Sequence, residues 1–205
     1  MVITISREFG SGGKYIGERL AEDLGLELYD KELLKKVSYE NGIDYDILQD
    51  VDEKQEESFW YSYARSFYSE MESIDPLSGE IPSSEKIFID QTKVIEDLAS
   101  KDNCIIIGRC SNVILKNRQN VLNVFVYSSD PEFKINRKLE YSDVKNREEL
   151  IDLMNTTDLE RTRYYNHFTG KTWGNRNDYD LLVDVSKLGI DNTIELIKKY
   201  IDLKK

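Results

Sequence analysis

Histidine occurs once in this chain, cysteine twice and proline three times, and each scarcity removes a class of function. A single imidazole, His167, excludes any metal centre or acid/base scheme built on paired histidines. Its expected role is a structural hydrogen bond. Cys104 lies in an apolar run and Cys110 just after it, so neither a disulfide framework nor a thiolate zinc site is credible, and buried reduced thiols are expected. No window approaches the roughly 20 apolar residues of a membrane-spanning helix, and "MVITISREFG" has neither a basic leader nor a long apolar core. The expectation is a cytoplasmic protein without membrane contact. Cations are in the minority as well: 28 Lys and Arg stand against 39 Asp and Glu, a formal net charge of -11. That balance argues against binding nucleic-acid polymers, because the acidic groups repel a phosphate backbone unless the cations are segregated. Chemistry must come from Lys, Arg, Asp, Ser and backbone amides, and any phosphate site must be local.

What is present is an alternation of short apolar runs and amphipathic stretches. At 205 residues the chain suits one α/β domain with room for a mobile subdomain. Val2 to Ser6 reads as a strand, and Lys14 to Leu24 follows with helical spacing at Ile16, Leu20, Ala21 and Leu24. Leu26 to Tyr29 is a second short strand, with a helix expected from about Lys31. "CIIIGRC", "NVLNVFVYSS" and "YDLLVDVS" are three further strands of the kind a doubly covered sheet requires. Helices are expected over Ser84 to Ser100, Asp130 to Tyr141, Asn155 to Phe168 and Ile190 to Leu203. The fold class implied is a three-layer, doubly wound α/β sheet of about five parallel strands, with its ligand crevice at the carboxyl ends of the strands. Glu40 to Ser84 differs in composition. Its aromatic series Phe59, Trp60, Tyr61, Tyr63, Phe67 and Tyr68 reads as a helix face on the core or as a base-stacking surface.

Between the first strand and the first helix stands "GSGGKYIG". A Gly-rich turn in that position directs backbone N–H groups, and the positive end of the helix dipole, at an anion. The strict phosphate loop is G-x-x-x-x-G-K-[ST]. With Gly13-Lys14 as its GK pair, Glu8 replaces the first Gly and Tyr15 the metal-binding hydroxyl. A tight turn needing Gly only for positive φ is the competing explanation.

Three blocks, "ISREFGSGGKYIGERLAEDLGLELYDKELL", "IIIGRCSNVIL" and "DLERTRYYNHFTGKTWGNRNDYDLLVDVSKLGID", together resemble the cytidylate-kinase-like family, a branch of the P-loop nucleoside monophosphate kinases. The resemblance implies a P-loop NTPase-type core over 1–39, 85–135 and 176–205, a helical acceptor-binding insertion over about 40–84 and a short lid over about 136–175. It also implies ATP-dependent phosphorylation of a nucleoside monophosphate, most simply CMP, with ATP and Mg²⁺ as cofactors and nucleotides as partners. Gly10, Ser11, Gly12, Gly13, Lys14 and Tyr15 match the phosphate loop. Alignment of "ITIS" with the family's opening strand instead puts the loop lysine on Gly13. Asp30 resembles the aspartate that opens the acceptor-binding helix, with Lys36 among the acceptor contacts, although a helix N-cap explains Asp30 equally well. Arg109 resembles the arginine presented to the substrate phosphate, where a planar guanidinium grips in two places. Arg137, Asp158, Arg161 and Arg163 resemble the lid, whose cations neutralise charge on the transferred phosphoryl. Alternatively, Asp158 and Arg161 simply pair at i,i+3 on a solvated helix. Tyr164, Tyr165, Trp173 and Tyr179 flank a nucleobase or pack on the core.

The metal ligands stay open among Ser11, Asp30 and water. If Lys14 does not curl back over the loop, its task passes to Arg7 or to Arg161 and Arg163, and Lys14, Arg161 and Arg163 are the candidate catalytic residues. Two functions of different class remain: a small nucleotide kinase, and a nucleotide-binding or regulatory protein on the same scaffold that turns nothing over. An NAD-binding module fits less well, because Tyr15 stands where the third fingerprint Gly belongs.

Overall fold

The strands Val2–Arg7 (β1), Cys104–Ile107 (β3) and Val121–Tyr127 (β4) are rich in β-branched residues and almost wholly buried, as strands covered on both faces must be. The computed structural model describes residues 1–30, 84–141 and 146–204. In it these three join Glu27–Tyr29 (β2) and Leu181–Asp184 (β5) in one parallel sheet of order β2-β3-β1-β4-β5. Ile3 of the central strand is in register with Ile105 on one side and Leu122 on the other.

Period-two alternation divides the strand residues between two cores. On one face Ile3, Ile5, Ile105, Ile107, Val124 and Val126 pack against Ile16 and Leu20 of Gly13–Leu24 (α1), and against Ile194, Ile197 and Ile201 of the C-terminal helix. On the other, Val2, Cys104, Ile106 and Val121 meet Val94, Ile95 and Leu98 of Ser84–Ser100 (α2) and Leu115, just beyond the short Ser111–Ile114 helix (α3). The three-layer expectation is met. Two further helices, Pro131–Tyr141 (α4) and Arg147–Thr169 (α5), form a third apolar cluster in which Ile135, Leu150 and Met154 enclose Phe9. A 3-10 turn, Arg176–Asp178, precedes β5, and the chain closes through Val185–Leu188 (α6) and Ile190–Lys204 (α7).

The strand expectations hold to within a few residues. The largest difference is α5, which starts well before Asn155. Asn146 caps it, accepting from the amides of Glu148 at 2.9 Å and Glu149 at 3.4 Å, and Leu150 and Met154 anchor the added turns on Phe9. Those partners lie far away in the chain, so a charged stretch shows no clear periodicity of its own. Both thiols are buried and free, and burial pushes Cys104 up to about 11 and Cys110 up to about 12. No helix among the described residues is long and apolar enough to cross a membrane.

Gly17 sets how closely α1 lies on the sheet. A Cβ there would stand 2.7 Å from Cδ1 of Ile107. Gly17→Val is therefore expected to lower stability by about 1–3 kcal/mol through overpacking, read as a shift of the urea unfolding midpoint at unchanged m-value.

Candidate functional site

Beyond Arg7 the chain turns through residues 8–12 into α1. Gly10 and Gly12 take φ of 75° and 84°, a region where side chains are disfavoured. The turn is closed by Ser11, whose amide and hydroxyl both donate to the Glu8 carbonyl, at 3.3 and 2.8 Å. The first amides of α1 have no acceptor within the helix, and the dipole there favours an anion.

The loop is covered, however. Phe9 through Gly13 are all buried, and α4 stands over them. A Cβ on Gly10 would lie 3.0 Å from Cβ of Lys134, and one on Gly12 would lie 2.6 Å from Cδ1 of Ile190 and 3.2 Å from Nε of Arg137. Lys134 pairs with Glu8 at 3.0 Å, and the Lys138 ammonium sits 4.3 Å from the Phe9 ring centroid. Burial lowers the pKa of Arg137, whose guanidinium also lies 5.5 Å from the ring of Tyr141.

Beside the loop, at the carboxyl ends of β1 and β3, three arginines from separate parts of the chain line one recess: Arg7, Arg109 and Arg161. Tyr164, Tyr165 and Trp173 form its aromatic wall. Arg161 donates to the Asp158 carboxylate at 3.0 Å and to the Arg7 carbonyl at 3.2 Å. Arg7 lies 3.7 Å from Asp30, and Lys14 approaches the other oxygen of that carboxylate at 3.6 Å. Burial first, then Arg161, lowers the Arg7 guanidinium to about 10, with Asp30 opposing. It remains charged at neutral pH. Arg109 is aimed by its backbone: Gly108, Arg109 and Cys110 have successive φ of 70°, 59° and 57°, costing about 1 kcal/mol or more at each non-glycine position. Ser111 holds this turn through its amide and hydroxyl, which donate to the Gly108 carbonyl at 3.1 and 2.7 Å.

The structure thus brings together Gly10 to Lys14, Asp30, Arg109, Arg137, Asp158 and Arg161. Arg163 is exposed beside Glu160 and does not line the recess, and Tyr15 is 44% exposed. His167 is exposed, edge-on to Phe168. Tyr165 and Tyr179 are buried in the core, with Tyr165 reaching the recess. Lys36, the segment 40–83 with its aromatic series, and the helix expected from Lys31 lie outside the described residues. Arg7 is the functional candidate that sequence reasoning undervalued, as a substitute source of charge only. The signal was available: an arginine ending a buried strand, the pattern that singled out Arg109.

A parallel five-stranded sheet with a glycine turn feeding α1, and a cationic recess at its carboxyl edge, define a P-loop kinase-type α/β fold. Residues 2–187 match the cytidylate kinase-like family. The chain belongs to that family. An uncharacterised protein from Eubacterium ventriosum is similar over 98% of both chains at 26% identity, with a TM-score of 0.70. Shikimate kinase from Bacteroides thetaiotaomicron shares the fold at 12% identity and a TM-score of 0.55, again over 98% of both chains. TT1252 from Thermus thermophilus does so at 14% and 0.55, over 99% of this chain and 97% of its own. No curated protein matches the chain significantly. Family and fold together point to nucleotide-kinase-like phosphoryl transfer.

Asp158 joins the loop to the recess, accepting from the Phe9 amide at 2.7 Å while it holds Arg161. Burial, outweighing the attraction of Arg161 and the Phe9 amide, pushes its carboxyl above the usual range. Asp158→Ala removes the acceptor that the Phe9 amide and the Arg161 guanidinium share, so a loss of about 1–3 kcal/mol is expected, measured by urea unfolding at pH 7.

Proposed function

We propose that the protein transfers the γ-phosphoryl of ATP to a nucleoside monophosphate, with CMP as the first candidate acceptor. The observation that carries this reading is the convergence of Arg7, Arg109 and Arg161 on one recess beside the glycine turn, in a chain of net charge -11. Cations so concentrated against the overall charge call for an anion of more than one charge. Donor phosphates belong at the amides of residues 10–14 and the start of α1, with Lys134 and Arg137 turning from the loop onto them as they enter. Arg109 takes the acceptor phosphate, and Arg161, held rigid by Asp158, neutralises charge spreading over the transferred group. The aromatic wall of Tyr164 and Trp173 excludes water on one side.

Mg²⁺ fits one part of this arrangement and not another. Ser11 is fully buried and its hydroxyl donates to Glu8, so it makes a poor metal ligand, and Tyr15 offers no aliphatic hydroxyl. No cluster of three or more His, Cys, Asp or Glu suited to a metal occurs among the described residues. Asp30 is suited to the single-carboxylate role that Mg²⁺ commonly takes alongside substrate phosphates. The metal, when bound, neutralises phosphate charge, and Asp30 would hold it in competition with Lys14 and Arg7.

The buried loop and the missing hydroxyl at residue 15 favour a second reading, a nucleotide-binding regulator without turnover. A coupled ADP-release screen over nucleoside monophosphates, with and without Mg²⁺, separates the two. A metal-dependent signal with one acceptor is expected, and Arg109→Ala should raise the KM for that acceptor about 10- to 100-fold with the KM for ATP little changed. Tight ATP binding with no turnover of any monophosphate would establish the regulator instead.

A further inference from the structure

We propose that Arg7 replaces the phosphate-loop lysine, reaching the terminal phosphate of the donor nucleotide from the end of β1, and that residue 13 is glycine because the base of the residue-7 side chain occupies its side-chain space. The inference rests on the phosphoryl-transfer reading above and assigns the cation that handles the terminal phosphate.

Glycine is needed at 10 and 12 for positive φ. That reason fails at Gly13, which opens α1 with no left-handed backbone. What it lacks is space: a Cβ there would stand 2.5 Å from Cβ and 3.0 Å from Cγ of Arg7, the stiff base of that side chain. At the other end, a Cβ on Gly108 would stand 2.4 Å from Nη1 of Arg7. Two glycines, about a hundred positions apart in the chain, border one side chain along its length. A side chain at 13 cannot coexist with any Cβ-bearing residue at 7 in this backbone, so a lysine at 13 would require glycine at 7, and in this loop the cation stands at 7 instead.

The strict loop requires a cation beside the last glycine of its turn to meet the β/γ-phosphates. Arg7 meets that requirement in place and in charge. Its stem lies against the first residue of α1, and its guanidinium lies over Gly108 in the recess shared with Arg109 and Arg161. The other contender, Lys14, is 45% exposed and pairs with Asp30 at 3.6 Å. Asp30 also faces Arg7, which holds the guanidinium between loop and recess. Arg7 thereby spans the path that a phosphoryl group takes from donor to acceptor.

The test is calorimetric titration of ATP and ADP into the full chain, its Arg7→Gln variant and the double variant Arg7→Gly with Gly13→Lys, each checked for cooperative unfolding. If Arg7 holds the terminal phosphate, Arg7→Gln weakens ATP binding about 10- to 100-fold while ADP changes less than about threefold. The double variant, which moves the cation to the usual loop position in the vacated space, regains most of the preference for ATP. An Arg7→Gln chain that folds and still binds ATP as tightly as the native chain overturns the assignment and leaves the kinase reading intact. Equal weakening of ATP and ADP also overturns it. A native chain that binds neither nucleotide removes the kinase reading, and this assignment with it.

Discussion

The side chain of Arg7 leaves the end of β1 through space that residues 13 and 108 leave empty, and much of the site's arrangement follows from that one steric fact. Gly13 lets α1 start beside the strand, and Gly108 begins the left-handed turn that aims Arg109 at the same recess. The carbonyl of Arg7 then receives Arg161 from α5. Three cations are thereby brought together at the carboxyl edge of a parallel sheet, where connecting loops leave a crevice. Their mutual repulsion is offset by Asp30 and Asp158, each shared with another group: Lys14 in one case, the Phe9 amide in the other.

Phe9 is the second fixed point. It lies within the glycine turn and is buried among Ile135, Leu150 and Met154. Burying a phenyl ring contributes on the order of 2 kcal/mol, enough to hold the turn against α4 and α5. The same contact covers the loop and places Lys134, Arg137 and Lys138 around it. Loop and flanking helices therefore form one packed unit, with side chains of α4 lying against Gly10 and Gly12. A loop of this form trades openness for a ring of cations.

Much of the architecture was legible because parallel strands buried on both faces must be apolar along their whole length, which is visible without knowing any partner. The position of the glycine turn after β1 and of Arg109 after β3 followed from the same pattern. The start of α5 was not legible, since Leu150 and Met154 are stabilised by Phe9, distant in the chain. Nor was the role of Gly13: in a sequence, a glycine kept for conformation and a glycine kept for clearance look alike. Arg161 and Arg163 were equivalent as letters, two residues apart on a helix. Helical rotation sends one into the recess and leaves the other exposed beside Glu160.

The sequence by itself determined the alternation of strand and helix, the local concentration of glycine before α1 and the residue types available for chemistry, because these depend on periodicity and composition within short windows. Only the tertiary structure decided which arginines meet, which carboxylates restrain them and that the glycine turn lies beneath α4. Those outcomes are set by distances between residues as far apart as Arg7 and Arg161, and packing, unlike periodicity, leaves no local trace.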